Sequence, residues 1–182
     1  MTSLKHLFIL AAGLLIAVPT ISAMPAIIPR PTSVEEGHGT FVITTATPVV
    51  VSSEELHTVA EIFAPDIPPL FGSPLTVTRI PSRRAISLYL ASELGEEEYT
   101  LSVTRRDIVV TGGSSRAVLY GLQSLRQLID RNRIPAVEVH DKPWFTYRGA
   151  MLDAARHFFP AADVKKFIDI LALHKLNRFH WH

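Results

Sequence analysis

YRGAMLDAARHFFPAADVKKFIDILALHKLNRFHWH, residues 147–182, decides how this chain folds. Residues 147–152 form a short apolar run, the pattern of a strand buried on both faces. Pro160 and Asp163 mark a helix start, where a carboxylate suits the positive end of the helix dipole. Val164, Phe167, Ile168 and Leu171 recur at helical spacing and predict the apolar stripe of that helix. Asn177 is a suitable helix stop, and residues 178–182 begin a second strand. Strand, helix, strand is the unit from which parallel sheets and barrels are built. A closed (β/α)8 barrel takes about 250 residues. One and a half units therefore predict a barrel that is truncated, with apolar faces that lack partners within the chain.

In parallel α/β folds function gathers at the C-terminal ends of the strands. Asp153, Arg156 and His157 lie just past the first strand, and His180 and His182 lie at the end of the second. Arg156 offers a planar fork of donors that keeps its charge, suited to vicinal hydroxyls or a carboxylate. Asp153 is placed to orient it, and His182 to hydrogen-bond a carboxylate or a substrate. Spacing alone leaves open whether Asp153 and Arg156 simply pair with each other. His180 and His182 share one face of a strand by the period of two, as metal ligands in hydrolase barrels do, but two histidines do not complete a metal site. Arg148, Phe158, Phe159 and Trp181 are read as structural.

Upstream, residues 24–143 read as a separate mixed domain of ordinary size. Residues 41–43, 49–51, 75–79, 85–90, 99–104, 107–111 and 134–139 are strand-like, and 99–104 with 107–111 form a hairpin. Ser52 and Glu55 have capping-box spacing before a helix over 53–64. Residues 65–74 carry four prolines and a glycine and predict a loop, and 93–98 an acidic loop. Gly112-Gly113 ends a strand, and Ser114 or Ser115 caps a helix whose stripe is Val118, Leu122, Leu125 and Ile129. A phosphate-binding turn is the weaker reading of that glycine pair, because the P-loop lysine is absent and the dinucleotide spacing is wrong.

The formal net charge of +1 gives no basic face for nucleic acid. There is no cysteine, so thiolate nucleophiles and disulfides are excluded. Lys5 and His6 precede an apolar run over 7–18, Pro19 breaks it, and Ser22-Ala23 offers a cleavage point. Residues 1–23 thus read as a secretory signal peptide. The run is shorter than the roughly 20 residues of a bilayer span, so an exported chain, periplasmic or secreted, with no stable membrane span after cleavage is expected.

Tyr147-Arg148-Gly149-Ala150-Met151-Leu152-Asp153, Arg156-His157-Phe158, Lys175-Leu176-Asn177 and Phe179-His180-Trp181-His182 resemble the start of the catalytic barrel of family 20 glycoside hydrolases, the β-N-acetylhexosaminidases. Residues 117–125, AVLYGLQSL, resemble the last helix of the small domain that precedes that barrel. The resemblance implies an α/β chain: a small zincin-like α+β domain over 24–143, then the first β-α-β of a truncated (β/α)8 TIM barrel over 144–182. It implies an exo-acting enzyme that removes terminal N-acetylglucosamine or N-acetylgalactosamine. The substrate's own acetamido oxygen attacks the anomeric carbon, an Asp steers the acetamide, and the adjacent Glu protonates the leaving oxygen, with net retention. No metal or organic cofactor is implied. By position, Arg156 matches the arginine that grips the sugar hydroxyls at C3 and C4, and Asp153, His157 and His182 lie in the same motif as substrate-binding candidates. The family's catalytic Asp-Glu pair belongs to a later strand, so the resemblance places no catalytic residue in this chain. It implies N-acetylhexosamine-terminated glycans as the molecules bound. Two other readings are a non-catalytic sugar- or partner-binding module and a metal-dependent hydrolase barrel using His180 and His182.

Overall fold

The structure, a computed structural model, describes residues 26–67 and 74–182. The predicted leader and most of the proline-rich loop lie outside the described residues. Nine strands and three helices follow the order β1 (Ser33–Val42), β2 (Val49–Val51), α1 (Glu55–Phe63), β3 (Val77–Thr78), β4 (Ile86–Leu90), β5 (Tyr99–Val103), β6 (Ile108–Gly112), α2 (Ser115–Leu128), β7 (Arg133–Asp141), β8 (Gly149–Leu152), α3 (Ala161–Leu173) and β9 (Arg178–Trp181). A 3-10 turn, Ala64–Asp66, extends α1. No helix among the described residues is long and apolar enough to cross a membrane.

The first seven strands form one mixed sheet in the order β1-β7-β5-β6-β4-β2-β3. β1, β7, β5 and β6 pair antiparallel, while β6, β4, β2 and β3 pair parallel. The predicted hairpin is present, with Leu101 facing Val110 and Val103 facing Ile108 across it. Alternate residues of β5 and β6 are buried, as the period of two requires when one face meets a core. α1 and α2 supply that core's other half: Leu56 and Phe63 from α1, and Val118, Leu122 and Leu125 from α2, pack with Ile86, Leu88 and Leu101 of the sheet. Each such side chain contributes about 1.5–3 kcal/mol on burial.

β1 is much longer than the predicted 41–43. Of residues 33–40 only Val34 has an apolar side chain, and the segment pairs only with β7, at the sheet edge, so no hydrophobic alternation marks it. A register shift between Glu36 and Thr40 interrupts this edge, where Gly39 takes φ +109°. Bulges of this kind blunt an exposed strand edge. The capping box at Ser52 does not form. Ser52 N–H is held by Leu88 O as β2 ends, and Glu54 at the helix boundary is already helical, with no side-chain cap.

Ser114 does cap α2, its Oγ accepting from Ala117 N and donating to Glu96 O. The glycine before it has a steric reason. A Cβ on Gly113 would sit 2.1 Å from Gly95 O and 2.6 Å from Leu94 O, so the acidic loop rests directly on the strand-to-helix turn. Gly113→Ala is expected to destabilise the chain by about 1–3 kcal/mol, the usual cost of forcing extra volume into a packed site. Urea denaturation should show a lower midpoint with an unchanged slope.

The second unit is the predicted strand-helix-strand. β8 and β9 pair in parallel, with Gly149 opposite Arg178 and Leu152 opposite Trp181. The expectation that the first strand is buried on both faces fails: β8 alternates between exposed and half-buried residues, and Met151 is exposed. Among the described residues its one strand neighbour is β9. The stripe of α3 is partly buried as well, with Val164 and Leu171 covered but Ile168 exposed. The helix ends before Asn177. Lys175, at φ 58°, turns the chain out of α3, a backbone position that glycine usually fills.

Candidate functional site

Parallel pairing puts the C-terminal ends of β8 and β9 side by side. Ala154 N–H donates to His182 O at 2.8 Å, and His182 N–H donates to Leu152 O at 3.0 Å. These two bonds carry Asp153 to His182. The Asp153 carboxylate accepts from the Ala155 and Arg156 backbone N–H groups at 3.2 and 3.1 Å, a local turn typical of aspartate. Arg156 Nε donates to the other carboxylate oxygen, and His182 Nδ1 lies 3.4 Å from Oδ1. The Arg156 backbone N–H, then its side chain, hold the Asp153 carboxyl below its ordinary range. Asp153 is thus the hub, and Arg156 and His182 stand out from it, 79% and 60% exposed.

Only Nε of Arg156 is engaged by Asp153; its two terminal nitrogens have no hydrogen-bond partner among the described residues. A guanidinium anchored at Nε presents those nitrogens in a fixed plane, which suits paired hydroxyls. The pairing that spacing left open therefore exists and leaves the outward donors free. His157 is exposed and makes no hydrogen bond with Asp153, Arg156 or His182. His180 shares the face of His182, with ring centroids 6.3 Å apart. Among the described residues, no group of three or more His, Cys, Asp or Glu side chains is arranged to hold a metal ion.

The opposite ends of the same strands meet the seven-stranded sheet through polar groups of which sequence reading marked only Arg148, as structural. Arg148, just before β8, donates to both oxygens of Glu97 at 3.0 and 3.1 Å and to Tyr120 OH at 3.1 Å. Glu97 and Arg148 side chains are only 14% and 17% exposed. The Arg148 hydrogen bond, with help from Asn177 and Tyr120, overcomes burial and holds the Glu97 carboxyl at about 2. Burial, followed by the bond to Glu97, leaves the Tyr120 hydroxyl pushed up to about 12. Burial alone would pull the Arg148 guanidinium down, but Glu97 more than offsets it.

A second node lies beside the first. Lys175, 5% exposed, donates from Nζ to Tyr99 OH at 2.8 Å and to Asp141 Oδ2 at 3.0 Å. Tyr99 opens β5 and faces Asp141 at the end of β7, and its hydroxyl also meets Ser124 Oγ of α2 at 2.6 Å. Burial lowers the Lys175 ammonium's pKa and Asp141 opposes that; burial raises the Tyr99 hydroxyl. A cavity of about 200 Å³ runs along this seam, with Tyr99, Tyr120, Phe145 and Lys175 in its lining.

The chain is a mixed-sheet α/β fold that carries an arginine-carboxylate-histidine cluster at paired strand ends, the place where parallel α/β folds gather functional groups. The family is shown by direct comparison: the chain belongs to glycosyl hydrolase family 20. Residues 24–142 match the model of the family's domain 2, and residues 145–182 match that of its catalytic domain. A beta-hexosaminidase of Porphyromonas gingivalis is 37% identical over 171 residues, covering 86% of this chain and 22% of that protein. A beta-N-acetylhexosaminidase of Cellulomonas fimi is 35% identical, covering 86% of this chain and 34% of that protein. Among solved structures, the family 20 beta-N-acetylhexosaminidase of Streptomyces coelicolor has a TM-score of 0.79 at 34% identity, covering 86% of this chain and 34% of its own. An exo beta-N-acetylglucosaminidase of Vibrio harveyi, in complex with N-acetylglucosamine, has a TM-score of 0.76 at 28% identity, covering 85% and 25%. The chain spans about a quarter or less of the length of the P. gingivalis and V. harveyi proteins and 34% of the S. coelicolor and C. fimi ones.

Proposed function

We propose that residues 144–182 form one edge of the sugar pocket of a β-N-acetylhexosaminidase. Arg156 grips ring hydroxyls of a terminal N-acetylhexosamine, and Asp153 fixes the guanidinium while His182 lines the same edge. One observation carries this reading. Arg156 is anchored at Nε, with its terminal donors free, at the paired ends of two parallel strands inside the stretch that matches the family's catalytic domain. In this proposal residues 24–143 are the small zincin-like α+β domain, 144–182 are the first β-α-β of a (β/α)8 barrel, and 1–23 direct export to the periplasm or beyond.

The chemistry is proposed to be substrate-assisted. The acetamido oxygen attacks the anomeric carbon and water later opens the cyclic intermediate, with net retention. The acid and the acetamide-steering carboxylate are assigned to the family's Asp-Glu pair. No Asp-Glu dipeptide occurs in these 182 residues, so alone they are expected to lack hydrolytic activity. His157, which nothing joins to the cluster, is the weakest of the four substrate-binding assignments.

The test is a comparison of two aryl glycosides, using a polypeptide that carries these residues with the remainder of the family's catalytic domain. The β-N-acetylglucosaminide should be hydrolysed at least about a thousandfold faster than the β-glucoside, which lacks the internal nucleophile. Equal rates would refute substrate assistance. Loss of activity on adding a chelator would favour the metal-dependent hydrolase instead.

A further inference from the structure

We infer that Glu97 is a positioning residue. From the acidic loop it fixes the starts of β8 and β9 relative to each other, and so sets where Asp153, Arg156 and His182 meet. Arg148 stands one residue before β8, and Asn177 stands one residue before β9. Glu97 takes both of them. Its oxygens accept from the Arg148 guanidinium at 3.0 and 3.1 Å and from Asn177 Nδ2 at 3.1 Å. The two partners are also bound to each other. Arg148 N–H donates to Asn177 Oδ1 at 3.0 Å, Asn177 N–H donates to Arg148 O at 2.8 Å, and Arg148 Nε donates to Lys175 O at 3.0 Å. Asn177 Nδ2 further donates to Thr146 O at 2.9 Å. One carboxylate from the neighbouring sheet therefore closes a ring that spans the entry to both strands.

The ring matters because, apart from the Lys175 node with Asp141 and Tyr99, little else holds this pair of strands. Two strands alone are marginal in water, and only Val164 and Leu171 of α3 are buried. The loop bearing Glu97 is itself held firmly. Gly95 N–H donates to the Glu98 carboxylate, and Glu98 N–H donates back to Gly95 O at 2.9 Å. Gly113 N–H donates to Glu98 O at 3.0 Å, and Ser114 Oγ donates to Glu96 O. The seven-stranded sheet thus acts as a jig at one end of β8 and β9, and the sugar-site candidates emerge four residues further along at the other.

The placement of the strand ends stands on these contacts alone; only its importance for sugar binding rests on the function proposed above. Hydrogen exchange of the whole chain, followed residue by residue, tests it without any sugar present. The Ala154 and His182 amides, which bridge the strand ends, should exchange roughly tenfold faster or more in Glu97→Gln, an opening cheaper by about 1.4 kcal/mol. Leu101 and Val110 in the large sheet should keep their rates. Asn177→Ala, which leaves the acidic loop intact, should reproduce the pattern. Glu96→Gln removes the same charge one residue away, from a side chain that is exposed and paired only with Arg116, and should change nothing. Unaltered exchange at Ala154 and His182 in both Glu97→Gln and Asn177→Ala would overturn the inference. So would equal acceleration throughout the chain, or the same effect from Glu96→Gln. A sugar that fails to bind would leave these rates as they are and would count only against the proposed function.

Discussion

Asp141→Ala is expected to weaken the attachment of β8, α3 and β9 to the sheet by about 3–5 kcal/mol, the range for removing one partner of a buried ion pair. Lys175 Nζ would be left with Tyr99 OH as its sole hydrogen-bond partner, in a site whose burial already disfavours the ammonium. Tyr99 would lose an acceptor at the same time. The backbone adds to the effect. Lys175 occupies the left-handed region at φ 58°, at a cost of order 1 kcal/mol or more for a residue with a side chain, and its anchored ammonium offsets that cost.

The measurement is convenient because both tryptophans, Trp144 and Trp181, lie beyond the last strand of the large sheet. Tryptophan fluorescence in urea therefore follows the second unit, while far-ultraviolet circular dichroism follows the whole. Asp141→Ala should separate the two transitions, with fluorescence moving to lower urea. Asp141→Ala combined with Lys175→Met should recover much of the loss, because an apolar pair of similar volume replaces a buried ion pair at little cost. A loss below about 1 kcal/mol, or no recovery in the double variant, would show that the Lys175 node contributes only as an exposed ion pair does.

What could be read in the sequence was whatever repeats at short range. The hairpin showed through Leu101 and Val103, α2 through its cap at Ser114 and its stripe, and the second unit through Pro160, Asp163 and the apolar run before Asp153. The strand-end cluster was legible for the same reason: Asp153 and Arg156 are three residues apart, and β-α-β topology brings His182 to them. Glu97 was not legible, since a glutamate in an acidic loop ordinarily faces water. Its partners lie 51 and 80 residues away, and nothing local marks them. Asn177 looked like a helix stop and Lys175 carried no local signal of burial, because their real work is done across a seam between two units. Burial of β8 was overread for the opposite reason. An apolar run shows that a strand can be covered, but not what covers it.

Arg156→Ala is expected to have the largest effect on activity and almost none on folding. Its side chain is 79% exposed, and Asp153 is its sole ion-pair partner among the described residues, so the thermal midpoint should move by less than a degree or two. A guanidinium that binds paired sugar hydroxyls makes charged hydrogen bonds, worth about 1.5–3 kcal/mol each. Their loss should lower kcat/KM by roughly a hundredfold or more, about 3 kcal/mol of transition-state stabilisation. Arg156→Lys should rescue little, since an ammonium cannot reproduce the planar fork. The decisive measurement is kcat/KM for an aryl N-acetyl-β-glucosaminide with Arg156→Ala, in a polypeptide that carries these residues with the rest of the family's catalytic domain. A fall of about a hundredfold with an unchanged melting temperature is the predicted result; an unchanged kcat/KM would contradict the assignment of this strand edge to the sugar pocket.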